Sequence, residues 1–323
     1  MEVNGSLTSI HMARVLVSGS LAYDRIMNFP GIFSEHIIPE KAHELNVSFQ
    51  VDNLKESYGG TAGNIAYNLA LLGEKPAIVA RAGNDFAPYR KWLAEHGIDI
   101  ARIEEDAEDR TAFASIMTDQ KDNQITAFYM GAMRMPTKLV LEPLAGDMAI
   151  LGAGNIEDMR ALPALFRSSR IPFIFDPGQG LTALSGEDLK NGIEGSQALI
   201  SNDYELALIM KKTGWNEEEI LTHTDMLVTT FGAEGSQAKT KETTVRVPAA
   251  KPKNTNDPTG AGDAYRAGFI HGLLKGLPLE QILKLAGLVA CYTVETYGTQ
   301  THSFTVEELK ARYKENFNEE IEL

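Results

Sequence analysis

Residues 254–272 read NTNDPTGAGDAYRAGFIHG. Gly260 and Gly262 flank Ala261, and Asp263 follows where helical spacing begins, with Ala264, Ala267, Ile270 and Leu274 in phase. The first amides of a helix lack intrahelical acceptors and sit at its positive end, so a glycine turn there can cradle a phosphate. The acid beside it has two readings. Acids are favoured in a first helical turn for dipole reasons alone. Alternatively, Asp263 serves whatever the turn binds, which the residues around it must decide. The turn lacks the GK[ST] ending of a Walker A loop, and no GxGxxG follows the first apolar run.

Four other stretches could do related chemistry. YGGTAGN (58–64) pairs Gly59 and Gly60 ahead of Asn64, and GSLAYD (19–24) carries Ser20 and ends on Asp24, expected at the end of the first strand. NDYE (202–205) places Asn202 and Glu205 after an apolar run. Alone, NxxE is a helix-start signal. TTFGAEGS (229–236) holds Thr230, Gly232 and Gly235, glycines that allow close backbone contact but, unsupported, read as a plain hairpin turn.

Elements that could position these residues alternate along the chain. RVLVSG (14–19), AIVAR (77–81), MAILGAG (148–154), FIFDP (173–177), ALIS (198–201) and MLVTT (226–230) read as buried parallel strands separated by helical patterns such as NIAYNLALLG. The expectation is an α/β fold: a doubly wound, mostly parallel central sheet with helices on both faces and ligands at the strands' carboxyl ends. LNVSFQVDNL (45–54) instead alternates strictly, and 111–130 reads as a hairpin around Gln120–Asn123. These predict a small β-sheet lid inserted at about 43–55 and 110–131 of a single domain spanning 13–323. The first twelve residues look like an expression leader.

Composition limits the partners. With 323 residues and 43% hydrophobic content the chain can bury a sizeable core. Its net charge of −14 disfavours nucleic acid or an anionic membrane as main partner, and no apolar run is long enough to span a bilayer. Cys291, the only cysteine, lies in an apolar stretch and reads as a buried, inert thiol, which fits a reducing cytoplasm.

DPTGAGD resembles the second signature of the ribokinase-like (PfkB) sugar and nucleoside kinases, and YGGTAGN resembles their first. The further stretches ITAFYMGAM, FDPGQGL, SNDYEL and VTTFG extend the resemblance towards bacterial adenosine kinases of the mycobacterial type. The resemblance implies ATP-dependent phosphorylation of a nucleoside 5′-hydroxyl, adenosine first, with a free sugar such as ribose, or a non-catalytic binding role, as alternatives. It implies Asp263 as catalytic base and Gly260, Ala261 and Gly262 as the anion hole. Ser20, Asp24, Ser48, Gly60, Asn64, Phe113, Phe128 and Gln179 would contact the nucleoside, with Phe113 and Phe128 flanking the adenine ring from one subunit or from two. Asn202, Thr230, Gly232 and Gly235 would meet ATP, Asn202 and Glu205 Mg²⁺ through water, and Asp257 and Thr259 a monovalent cation such as K⁺. It further implies a homodimer through the lid sheets. Two departures concern the base: Gly180 stands where a second glutamine is expected, and FYMGAM where FYPGAM is usual.

Overall fold

The computed structural model describes residues 14–37, 44, 46–121, 123–138 and 147–323; the expected leader and Leu45 lie outside them. The strands are β1 (Arg14–Ser18), β2 (Ala22–Asn28), β3 (Asn53–Gly59), β4 (Lys75–Ala82), β5 (Asp99–Glu105), β6 (Ala112–Thr118), β7 (Gln124–Tyr129), β8 (Met148–Leu151), β9 (Phe173–Phe175), β10 (Ala198–Asn202), β11 (Leu227–Thr230), β12 (Ser236–Lys239) and β13 (Thr244–Val247). The α-helices are α1 (Phe33–His36), α2 (Thr61–Leu71), α3 (Ala87–Glu95), α4 (Ile156–Ser168), α5 (Gly186–Ile193), α6 (Asp203–Thr213), α7 (Glu217–His223), α8 (Ala261–Leu274), α9 (Leu279–Val294) and α10 (Val306–Phe317).

Among the described residues the large sheet runs β13-β12-β11-β10-β9-β8-β1-β4-β5. It is parallel from β11 to β5, and β12 and β13 extend one edge as antiparallel hairpins. Its central strands read as unbroken apolar runs because both faces are covered. Val15 and Val17 of β1 join a core with α2, α8 and α9, whereas Leu16 between them joins a core with α4–α7. The chain winds outward in both directions from the β1/β8 pair, so a crevice opens at the carboxyl ends of these two strands. Gly154 after β8 approaches within van der Waals contact of Gly19 after β1: a Cβ there would stand 2.9 Å from the Gly19 Cα.

The second sheet, β3-β2-β6-β7, stands beyond this crevice. Its β6–β7 hairpin is the one expected at 111–130, but among the described residues of the strand expected at 45–54 only Asn53 and Leu54 are in a strand, β3. Residues 46–52 carry no regular structure, and the strand on that side is β3. The alternation in LNVSFQVDNL survives as burial alone: Asn46, Ser48 and Gln50 are exposed, whereas Val47, Phe49 and Val51 are partly covered. Phe49 inserts beside Phe29 and Phe33, with ring centroids 4.9 and 5.1 Å away. An irregular segment packing every second side chain has the period of a strand without its ladder. Asp24, expected at the end of β1, belongs to β2 of the small sheet. Cys291 is buried in α9, with burial pushing its thiol up to about 11. Among the described residues no helix is long and apolar enough to cross a membrane.

Candidate active site

Two helix starts converge on the crevice. α2 begins after Gly60, whose φ of 88° and whose approach to the Ser20 carbonyl (2.5 Å from a would-be Cβ) both demand glycine. The Ser20 hydroxyl accepts from the Thr61 amide at 3.0 Å, and the Thr61 hydroxyl donates to the Ala153 carbonyl at 2.7 Å. Ser20 thus ties the β1–β2 turn to α2 and the β8 loop.

α8 begins after Gly260 (φ 78°). The Ala261 amide is turned to the Pro258 carbonyl at 3.3 Å, whereas among the described residues the amides of Gly262 and Asp263 have no acceptor. Those two donors face outward at the positive end of a fourteen-residue helix. Asp263 in the first turn accepts from Asn64 Nδ2 of α2 at 2.8 Å. Burial pushes its carboxyl up to about 7. The Asn64 hydrogen bond and the Arg266 charge oppose that rise, while Asp176 and Asp24 add to it. A carboxylate near neutrality beside free amides can accept a proton from a hydroxyl while the amides stabilise developing charge.

Sequence reasoning missed Arg266 and Asp176. Arg266, one turn beyond Asp263, bonds both Asp176 carboxylate oxygens at 2.8 Å through Nε and Nη2, with Nη1 on the Gly262 carbonyl at 3.2 Å. This buried bidentate pair holds the first turn of α8 against the loop after β9. Its signal in the sequence is slight: an arginine three residues after the aspartate, and an aspartate closing an apolar strand.

Asp24 reaches the crevice from the β2 face shared by Ser57, Ala114 and Phe128. Gly59 of β3, opposite Ala22, makes room, since a Cβ there would meet Asp24 Oδ2 at 2.4 Å. Burial, and secondly Asp257, push the Asp24 carboxyl up to about 6. Phe128 is 51% exposed on this face. Phe113 is in the adjacent register and points to the opposite face, where Arg25 lies 4.2 Å over its ring. Within one chain the two phenylalanines therefore cannot flank a single ring. Ser48 and Gln179 are both exposed, Ser48 in the irregular segment rather than on a strand and Gln179 in the 3₁₀ turn after β9. The unexpected Gly180 packs on Met159, whose Sδ would be 2.9 Å from a Cβ.

Asn202 and Thr230 end the adjacent parallel strands β10 and β11 in register. Asn202 and Glu205 form a capping box, with Asn202 Oδ1 accepting the Glu205 amide at 2.7 Å and Glu205 Oε2 accepting the Asn202 amide at 2.8 Å. This leaves Glu205 one free carboxylate oxygen near Arg266, whose charge it supports. The 232–235 turn joins β11 to antiparallel β12, and Gly235 (φ 98°) closes against the Val247 carbonyl. Asp257 accepts the Thr259 amide at 2.9 Å and the Gly298 amide at 3.1 Å.

The model of the pfkB family carbohydrate kinases matches residues 12–305. The chain belongs to this family. It is 30% identical over 308 residues to the nucleoside kinase of Methanocaldococcus jannaschii, covering 94% of this chain and 98% of that protein. The structure of Burkholderia thailandensis nucleoside kinase in complex with inosine superposes with a TM-score of 0.85 at 33% identity, covering 95% of this chain and all of that one. The same enzyme in complex with ADP-inosine gives 0.83 at 36% identity, covering 95% and 97%. As a pfkB kinase this protein is a phosphotransferase acting on a hydroxyl group.

Proposed function

We propose that this protein transfers the terminal phosphoryl group of ATP to the 5′-hydroxyl of a nucleoside, with adenosine the first candidate. The observation that carries the reading is the Asn64–Asp263 hydrogen bond. It brings the YGGTAGN and DPTGAGD stretches together where a base and free helix amides share one crevice. Asp263 takes the hydroxyl proton as the oxygen attacks phosphorus, and the amides at the start of α8 receive the charge of the transferring group. Asp24, with Asn64 and Gly60 beside it, accepts from ribose hydroxyls, and Phe128 offers a face to the base. The 202–205 and 230–235 turns take the nucleotide. An assay of ADP release across adenosine, inosine, guanosine and ribose tests this: nucleosides should turn over well ahead of ribose, and ribose ahead of every nucleoside would overturn it.

Magnesium fits the site only as a partner of ATP. Among the described residues no three acidic, histidine or cysteine side chains gather to hold a metal, and Mg²⁺ commonly keeps its waters and binds through one carboxylate plus phosphates. Glu205 and Asn202 would hold it through water, and the ion would neutralise phosphate charge. Glu205→Gln separates the two roles of this side chain, because glutamine also serves in a capping box. The expected result is a several-fold higher Mg²⁺ concentration for half-maximal rate with unchanged melting temperature; an unmoved titration would leave Glu205 as a cap only. A monovalent cation such as K⁺ is proposed beside Asp257 and Thr259.

The lid is proposed to join two copies of the chain. Leu54, Met27, Met117 and Ile125 form one row across all four strands, on the face away from Asp24. Leu54 is 65% and Ile125 40% exposed, an apolar row that a second copy would cover. Leu54→Lys with Ile125→Lys should shift a dimer towards monomer in sedimentation velocity. A wild type already monomeric at micromolar concentration would leave the sheet as a single-subunit cover.

A further inference from the structure

Behind Asn64 lies a buried chain of polar groups that the reaction itself does not use. Gln300, in the segment between α9 and α10, is 2% exposed. Its Oε1 accepts from Trp92 Nε1 of α3 at 3.1 Å, and its Nε2 donates to Asn64 Oδ1 at 3.1 Å and to Tyr89 Oη at 2.6 Å. The Tyr89 hydroxyl in turn donates to the Gly59 carbonyl at 2.9 Å. Gly63 of α2 makes this approach feasible, since a Cβ there would lie 1.9 Å from Tyr89 Oη.

A side-chain amide can turn half a revolution in nearly the same volume, exchanging its acceptor for its donor. The ends of this chain remove that freedom. An indole N–H only donates, so the atom of Gln300 facing Trp92 must be oxygen. Its nitrogen must then face Asn64, which in turn presents oxygen to Gln300 and nitrogen to Asp263. An ionised carboxylate only accepts, so the other end requires the same polarity. With Asn64 reversed, two donors would meet at Gln300 in either protonation state, and two acceptors at Asp263 once it is ionised, each pair buried and unpaired.

We infer that Trp92 and Gln300 are positioning residues that fix which atom Asn64 turns towards Asp263. Resting on the kinase reading above, the relay keeps one Asp263 oxygen (Oδ2) occupied by an N–H donor and leaves the other for the substrate hydroxyl. The donor also favours the ionised, proton-accepting form against burial. The charged groups facing Asp263 are Arg266 from its own helix, Asp176 from the loop after β9 and Asp24 from β2, and the substitutions below touch none of them.

The test is the titration of the Asp263 carboxyl carbon by ¹³C NMR, assigned against Asp263→Asn, in wild type, Trp92→Phe and Gln300→Met. This readout does not depend on turnover, so failure of the kinase reading and failure of the relay are distinguishable. The expected result is a midpoint raised by about one pH unit in Gln300→Met and by less in Trp92→Phe, with kcat about tenfold lower and the KM for ATP unchanged. Trp92→Phe preserves the aromatic packing beside Tyr58 and Tyr67, so it decides the matter alone if Gln300→Met does not fold. An unmoved Asp263 midpoint in a folded variant, even a slower or less stable one, would overturn the inference and reduce the chain to packing.

Discussion

Replacing Asp263 by asparagine is expected to lower turnover by about 10²–10⁴-fold, the usual contribution of a positioned general base. The fold should not suffer. Burial holds the carboxyl near 7 in the native state against an ordinary value of 3.8, so the folded protein favours the protonated form. Stability from a raised carboxyl is complete below its unfolded value and is lost as pH rises towards the folded one. Above pH 7 the wild type therefore carries a buried charge that asparagine lacks, while the asparagine oxygen can still accept from Asn64 Nδ2. Asp263→Asn should melt at or above the wild-type temperature at pH 8, with the difference narrowing as pH falls towards 4. In the wild type the rate should rise with pH through about 7 as the base ionises. A variant retaining more than half the wild-type turnover would remove Asp263 from this role, leaving it as an acid placed for the helix dipole.

Much of this architecture was legible because its signals are local. Apolar runs of four to seven residues marked β1, β8, β10 and β11, and glycines before a helical period marked the starts of α2 and α8. What escaped depends on contacts across the chain. β3, with sequence NLKESYG, is largely exposed and polar, so no apolar period announced it, whereas the strictly alternating segment before it packs without a ladder. Adjacent strand register sets Phe113 and Phe128 on opposite faces, and spacing in one strand cannot show which neighbour it meets. The Arg266–Asp176 pair and the Trp92–Gln300 chain join residues 90 and 208 positions apart. Such pairs become visible only when the fold brings them together.

The second large effect is expected at Asp24. An ionised acceptor buried against substrate hydroxyls contributes more than a neutral one, and truncating it to alanine should weaken nucleoside binding about 10–100-fold. ATP, proposed to bind at the 202–205 and 230–235 turns, should bind as before. The same substitution has a second consequence of fixed sign. Asp24 is one of the negative groups raising the Asp263 carboxyl, so its removal should let Asp263 ionise more readily. The acid limb of the rate profile should then move to lower pH in Asp24→Ala, opposite to the shift expected in Gln300→Met. Calorimetry and a pH profile on one variant thus separate two claims. Unchanged nucleoside affinity would misplace the ribose site, whereas weakened affinity with an unmoved limb would show that Asp24 binds substrate without tuning the base. Both effects together would make the small sheet, through a single carboxylate on β2, a contributor to substrate capture and to the basicity of Asp263.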